Sequence, residues 1–268
     1  MLIIGEKINT TRKSMGRAVE ERDHRAVQEE ALRQVQAGAH MIDVNCGSLS
    51  ADAEPETLAW LVDTVQSSVD VPLCVDSPNP HALTRALAVH RGKPMINSIS
   101  GERARYEQVL PMVKQYGASV VALGMDDRGI PQNKDQAREV GVTLVERLLG
   151  DGISLDDIYF DPLVRSVATN QQAVVECLQL MQELRSRFAR LHFVSGLSNV
   201  SFGLPERRHL NRAFVVMSIA NGLDTVIMDP LDSTMMALIL AAEALMNKDR
   251  FCMNYIKAYN QGKLKETK

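Results

Sequence analysis

No uninterrupted apolar run in this 268-residue sequence approaches the roughly 20 residues needed to cross a bilayer. The opening stretch, MLIIGEKINTTRK, has only three consecutive bulky apolar residues after Met1, too few for the core of a signal peptide. Neither charge is in marked excess. A formal net charge of −3 leaves no electrostatic footprint for nucleic acid or an anionic membrane surface. Four cysteines, Cys46, Cys74, Cys177 and Cys252, stand far apart, with no C-x-x-C pair and no zinc-finger spacing. A chain of this length needs no disulfide staples, so reduced thiols in a cytoplasmic protein are expected. G-x-G-x-x-G and G-x-x-x-x-G-K are both absent, which removes the usual glycine-rich dinucleotide and P-loop signatures.

What is present is an alternation. With 45% apolar and 24% charged residues, the composition is that of an ordinary soluble globular protein. Short apolar runs recur as LIIG (2–5), MIDVN (41–45), PLCVD (72–76), PMINS (94–98), SVVAL (119–123), DIYFD (157–161), HFVSG (192–196) and DTVIMD (224–229). Continuous apolar runs fit buried parallel strands better than half-exposed antiparallel ones. Between them lie segments of helical period, such as Leu58, Leu61, Val62, Val65 and Val174, Leu178, Met181, Leu184. Gly38, Gly117, Gly150 and Gly222 each stand just past such a segment, where a left-handed residue ends a helix cheaply. Asn79-Pro80 reads as an N-cap followed by proline in the first turn. No linker or composition break divides the chain, and residues 250–268 read as an extra helix with a frayed, lysine-rich end. Eight strand–helix units predict a single (β/α)8 TIM barrel over 1–268, with a doubly wound open sheet as the competitor.

Barrel sites are built at the C-terminal ends of the strands. Those ends read Glu6 and Asn9, Asp43 and Asn45, Asp76, Asn97 and Ser98, Met125 and Asp126, Asp161, Ser198 and Asn199, and Asp229. Carboxylates and carboxamides dominate, while histidine, lysine and arginine are nearly missing. A phosphate or carboxylate ligand would call for arginine or lysine, and a catalytic metal for clustered histidines, of which only His192 falls in a strand run. No bound metal is expected. A neutral, flat ligand rich in N–H donors suits the set, because aspartate accepts two parallel N–H bonds and asparagine both donates and accepts. A 2-amino-4-oxo pyrimidine ring is such a ligand. Each position also has a plainer reading as the N-cap of the following helix. Asp43 fits orienting Asn45 or capping a loop, and Asp229 and Asp232 look most like caps. Asp161 is harder to explain that way, since a carboxylate ending an apolar strand needs a partner.

The stretches LIIGEKIN (2–9), GAHMIDVNCG (38–47), CVDSPN (74–79), MINSISGER (95–103), GMDDRGIP (124–131), YFDPLV (159–164), GLSNVSFGLPERRHLNRAF (196–214) and AAEALMN (241–247) resemble, in order, the methyltetrahydrofolate:corrinoid methyltransferases, a family of pterin-binding barrels. The resemblance implies methyl transfer between N5 of tetrahydrofolate and the cobalt of a corrinoid (cobalamin). That corrinoid must come on a partner protein, because the D-x-H-x-x-G signature of a cobalamin domain is absent. It further implies pterin contacts from Asp161 on the pyrimidine edge, Asn97 on the ring, and Asp76 anchoring the ring and reaching the polar network near N5. Gly196 would let the pterin lie against backbone, and Asn199 would approach N5, with Ser98 and Asp43 completing the set. Asn199 and Asp76 are the catalytic candidates, since an amide can follow the changing protonation of N5 while staying neutral. Phe202 departs from the pattern, standing where the family has glutamine, so that contact is lost or becomes apolar packing. Loops 124–134 and 202–209 are candidate docking surfaces, and a homodimer is expected from the resemblance. Two rivals remain. One is a dihydropteroate synthase-like condensing enzyme, which reads S-R-K where this chain has Gly196-Leu197-Ser198-Asn199. The other is a folate-binding protein without turnover.

Overall fold

The computed structural model describes residues 1–264. Eight parallel strands close into a barrel in sequence order: β1 (Leu2–Asn9), β2 (Met41–Asn45), β3 (Leu73–Asp76), β4 (Met95–Ser100), β5 (Ser119–Leu123), β6 (Ile158–Asp161), β7 (His192–Gly196) and β8 (Thr225–Met228). β8 pairs with β1 through Leu2–Thr225 to Gly5–Met228 and closes the ring. The helices are α1 (Lys13–Glu20), α2 (His24–Ala37), α3 (Glu54–Gln66), α4 (Pro80–Val89), α5 (Arg103–Tyr116), α6 (Lys134–Gly150), α7 (Ala173–Arg187), α8 (Arg207–Ala220), α9 (Ser233–Leu245) and α10 (Met253–Asn260). This is the expected barrel rather than the open sheet. Among the described residues no helix is long and apolar enough to cross a membrane.

Local chemistry explains most of the boundaries. Asn79 accepts from the His81 N–H at 3.0 Å and Pro80 opens α4, as the Asn-Pro pair predicts. Gly38 and Gly117 end α2 and α5 in left-handed conformation. Gly150 does not: it is the last residue of α6, and the left-handed position falls on Gly152. The first strand runs four residues beyond LIIG because its register shifts between Gly5 and Ile8, which lets pairing resume on β2. Buried Gln34 of α2 fills that break by accepting from the Lys7 N–H at 3.1 Å. Gly5 makes room for it, since a Cβ there would fall 2.4 Å from the Gln34 Oε1. At the far end, a 3-10 turn (Arg250–Cys252) precedes α10, which ends at Asn260. The expected frayed end at 265–268 lies outside the described residues.

Two apolar layers hold the barrel. Helix faces such as Leu58, Leu61, Val62 and Val65 pack on the outward side of the strands. Inside, Ile4, Met41, Cys74, Met95, Val121 and Val194 form a plug, with Leu2, Leu123, Tyr159 and Ile227 against it. That plug decides where a ligand can sit, because everything above it on the same strand faces opens toward the C-terminal mouth.

Candidate active site

Side chains along a strand alternate, so the residue two positions beyond each plug residue also faces the barrel axis. Applied to the plug, this rule brings Glu6, Asp43 and then Asn45, Asp76, Asn97, Asp161, Gly196 and Asp229 to the inner face. Strand register levels several of them. Asn9 pairs with Asn45, Asn45 with Asp76, and Asp76 with Asn97, so four polar residues stand side by side on β1 to β4. Asp161 stands level with Leu123 on the opposite wall. The result is an acidic, amide-lined bowl over an apolar floor.

Within the bowl, the Asn45 Nδ2 donates to the Asp76 Oδ2 at 2.7 Å, and its own oxygen accepts from the Gly47 N–H. Burial pushes the Asp76 carboxyl up to about 6, against the lowering effects of the Asn45 bond and the Arg105 charge. Asp161 is 8% exposed and is also pushed up to about 6 by burial. One Asp161 oxygen accepts from the Leu163 N–H at 2.8 Å, folding the strand end into a tight turn in which Leu163 is left-handed. The other oxygen has no hydrogen-bond partner among the described residues and faces the bowl. Two carboxylates poised near neutrality can accept N–H bonds and can also exchange protons.

Asp43 lies deeper. Burial, and next the charge of Asp76, push its carboxyl well above the ordinary range, while hydrogen bonds from Cys74 and Asn97 pull the other way. Its Oδ1 is buried without a partner among the described residues. It neither caps a loop nor orients Asn45, whose amide is committed to Asp76. Ser98 is the bulged residue of β4, between the Asn97–Val121 and Ile99–Ala122 pairs, and is 9% exposed. Its carbonyl accepts from the Arg105 Nε at 2.8 Å.

Asn199 sits in a short 3-10 turn (Leu197–Ser201) directly after β7. It is exposed, and its side chain makes no hydrogen bond among the described residues. Gly196 has ordinary φ of −77°, so its backbone does not require glycine. A Cβ there would meet only the Asn199 Nδ2, at 3.7 Å, and glycine therefore leaves open space between strand and amide. Phe202 is 70% exposed, so its ring is not packed within the chain.

Several strand-end residues take the plainer role. Asp232 caps α9 by accepting from the Met235 N–H, Asn9 accepts from Thr11, and Asp126 folds back onto Arg128. Asp229 both accepts from the Leu231 N–H and pairs with the Lys7 ammonium at 3.2 Å.

The expectation that basic groups are nearly missing from the rim needs correction. Lys7 reaches Asp229, and Arg12 pairs with Glu6 at 2.7 Å. Arg105 donates to the carbonyls of Ser77, Pro78 and Ser98 at 2.7 to 2.8 Å, tying the β3 and β4 loops together. Arg207 donates to the Ser198 carbonyl at 2.5 Å and to the Ser201 hydroxyl at 3.0 Å, fixing the Asn199 turn. Arg105 and Arg207 come from the first turns of α5 and α8, so a reading confined to strand ends passes over them. Their usable signal is an arginine opening the helix that follows a site loop.

The sequence matches the family of pterin binding enzymes over residues 5–229. It is 35% identical to the methylcorrinoid:tetrahydrofolate methyltransferase of Eubacterium limosum, with 98% of each chain aligned. It is 28% identical to methionine synthase of Mycobacterium tuberculosis over 85% of this chain, which spans 20% of that longer protein. Among solved structures, a dihydropteroate synthase from Xanthomonas albilineans with 4-aminobenzoic acid superposes with a TM-score of 0.70. The identity is 20%, over 91% of this chain and 93% of that one. A dihydropteroate synthase from Coxiella burnetii in complex with pteroic acid gives 0.69 at 20% identity, over 92% and 94% of the two chains. At such identities the likeness shows the fold alone.

Proposed function

This chain belongs to the pterin-binding enzymes, and on that premise we propose that it is a methyltransferase moving a methyl group between N5 of tetrahydrofolate and the cobalt of a corrinoid carried by a partner protein. The observation that carries the reading is the free face of the bowl. A level row of Asn45, Asp76 and Asn97 faces Asp161, and the unpartnered amide of Asn199 stands above. The E. limosum relative, aligned from end to end, supports the same chemistry.

Asp161 binds the pyrimidine edge through its free oxygen, while its other oxygen stays on Leu163. Asn97 and Asp76 hold the ring flat over the apolar plug. When bound at the mouth, the corrinoid supplies the cobalt that takes or gives the methyl group. The remaining difficulty is N5: an unprotonated nitrogen anion is a poor leaving group, so cleavage of its bond to carbon needs a proton or a strengthening hydrogen bond there. Asn199 meets that need without carrying charge, donating to N5 as an amine or accepting from N5–H. Asp76, with a carboxyl near 6, relays protons between solvent and that nitrogen. Asp43 beneath it keeps the floor of the bowl proton-rich. The buried thiols Cys46 and Cys74 beside the bowl take no part, since burial raises both, Cys46 to about 12.

Dihydropteroate synthase-like condensation is disfavoured, because Gly196-Leu197-Ser198-Asn199 supplies no lysine or arginine for a pyrophosphate. We place the enzyme in the cytoplasm and propose a homodimer. Support for the dimer comes from Leu245, Phe251, Met253 and Tyr259, which leave 62–84% of their surface bare at the end opposite the bowl. The function is tested by mixing the protein anaerobically with methyltetrahydrofolate and Co(I) cobalamin. Loss of the Co(I) absorption that needs both protein and folate is expected. No change, together with condensation of pterin pyrophosphate with aminobenzoate, would refute it.

A further inference from the structure

The bare ring of Phe202 calls for an explanation that the pterin bowl does not supply. At 70% exposure it is the most exposed large apolar side chain at the mouth. It does not hang from a loose loop. Its N–H donates to the Asn199 carbonyl at 3.2 Å, and its carbonyl accepts from the Ser166 hydroxyl at 2.6 Å. The neighbouring Val200 carbonyl accepts from the Val167 N–H at 3.0 Å. A fixed backbone therefore presents an uncovered aromatic side chain.

Charge changes sign at the same place. The bowl is lined by Glu6, Asp76, Asp161 and Asp229, whereas Arg207 stands beside Phe202 with no ion pair among the described residues. The Arg207 guanidinium lies 5.9 Å from the Phe202 ring centroid and is itself anchored to Ser198 and Ser201. An acidic bowl running into an aromatic and basic shelf fits a ligand with an N–H-rich ring at one end and an aromatic acid at the other. Folate has that layout: its aminobenzoylglutamate arm leaves from C6, the carbon bonded to N5. Phe202 is three residues past Asn199, at most about 10 Å along the chain.

Building on the folate reading above, we propose that Phe202, with Arg207 beside it, is the subsite for the aminobenzoylglutamate arm. The phenyl ring packs on the aminobenzoyl ring and the Arg207 guanidinium faces the glutamyl carboxylates. This arm, rather than the pterin alone, then sets the preference for folate over simpler tetrahydropterins.

The test compares methyltetrahydrofolate with 5-methyltetrahydropterin lacking the arm, using free Co(I) cobalamin as acceptor. Phe202→Ala should weaken whole-folate binding about tenfold, leave the truncated pterin and the maximal rate unchanged, and keep the melting temperature of the wild type. Phe202→Tyr, which keeps the ring, should bind whole folate as the wild type does. Equal losses on both substrates, or none on either, would overturn the proposal. So would a Phe202→Ala defect seen only with a corrinoid protein as acceptor, which would make the ring a docking residue. A wild-type protein that binds no methyltetrahydrofolate sinks the folate reading and this inference together, an outcome distinct from the others.

Discussion

Replacing Asp161 by asparagine separates binding from folding in one variant. The substitution keeps size and shape, and the oxygen that accepts from the Leu163 N–H at 2.8 Å is retained. The free oxygen facing the bowl becomes an NH2, so the pterin donors meet a donor. A hydrogen bond to a charged acceptor contributes about 1.5–3 kcal/mol, and a donor left unpaired adds a further cost. A loss of about 3 kcal/mol corresponds to folate binding weakened roughly 10²-fold, read by titration calorimetry at pH 7.5. Stability should move the other way. Folding raises this carboxyl from 3.8 to about 6, so the folded state holds its proton more tightly than the unfolded chain. Its contribution therefore opposes folding as pH rises from about 4 to 6, reaching about 3 kcal/mol above that window and vanishing below it. Asp161→Asn should be at least as stable as the wild type at pH 7, and its stability should vary less between pH 4 and 6. Folate affinity within about twofold of the wild type would refute the assignment of Asp161 to the pyrimidine edge.

Asn199→Ala should slow methyl transfer by about 10²–10³ while changing folate affinity only a few-fold, because one preorganised polar contact at the reacting atom is lost; single-turnover rates decide it, and a rate drop of less than a few-fold counts against the N5 role. Asn45→Ala removes the bond that holds the Asp76 carboxyl down, so that carboxyl should rise further above 6. The acid limb of folate binding should then move about one pH unit upward, and an unmoved limb would show that Asp76 plays no part. For the proposed dimer, light scattering should report a two-chain mass for the wild type and a smaller mass for a Leu245→Asp, Phe251→Asp variant; a monomeric wild type would end that proposal.

Most of the barrel was legible because each strand is a buried apolar run flanked by helical period. MIDVN, SVVAL and HFVSG match β2, β5 and β7 residue for residue, and the other runs differ from their strands by a few residues. The extension of β1 through Ile8 was not legible, since it depends on Gln34 of a separate helix filling a break in the ladder. The inward set of Asp43, Asp76, Asn97, Asp161 and Gly196 follows from strand alternation alone. Alternation does not reveal depth, so Asp43 and Asp76 read alike in sequence although one is sealed beneath the other. Nor does it reach side chains that come in from helices. Arg105 and Arg207 fix the loops carrying Ser98 and Asn199, and they are contributed by the elements that follow. The exposure of Phe202 was equally hidden, because a phenylalanine after a strand reads as packing until its neighbours are placed.

The central claim, methyl transfer at N5 within this bowl, is tested most directly by following the carbon itself. Methyltetrahydrofolate labelled with 13C in the N5-methyl group is mixed with Co(I) cobalamin and one equivalent of protein, and the label is located by NMR. The label should move to cobalt with the wild type and stay on N5 over the same interval with Asn199→Ala. Label that remains on N5 with the wild type, or moves equally fast in both proteins, would contradict it.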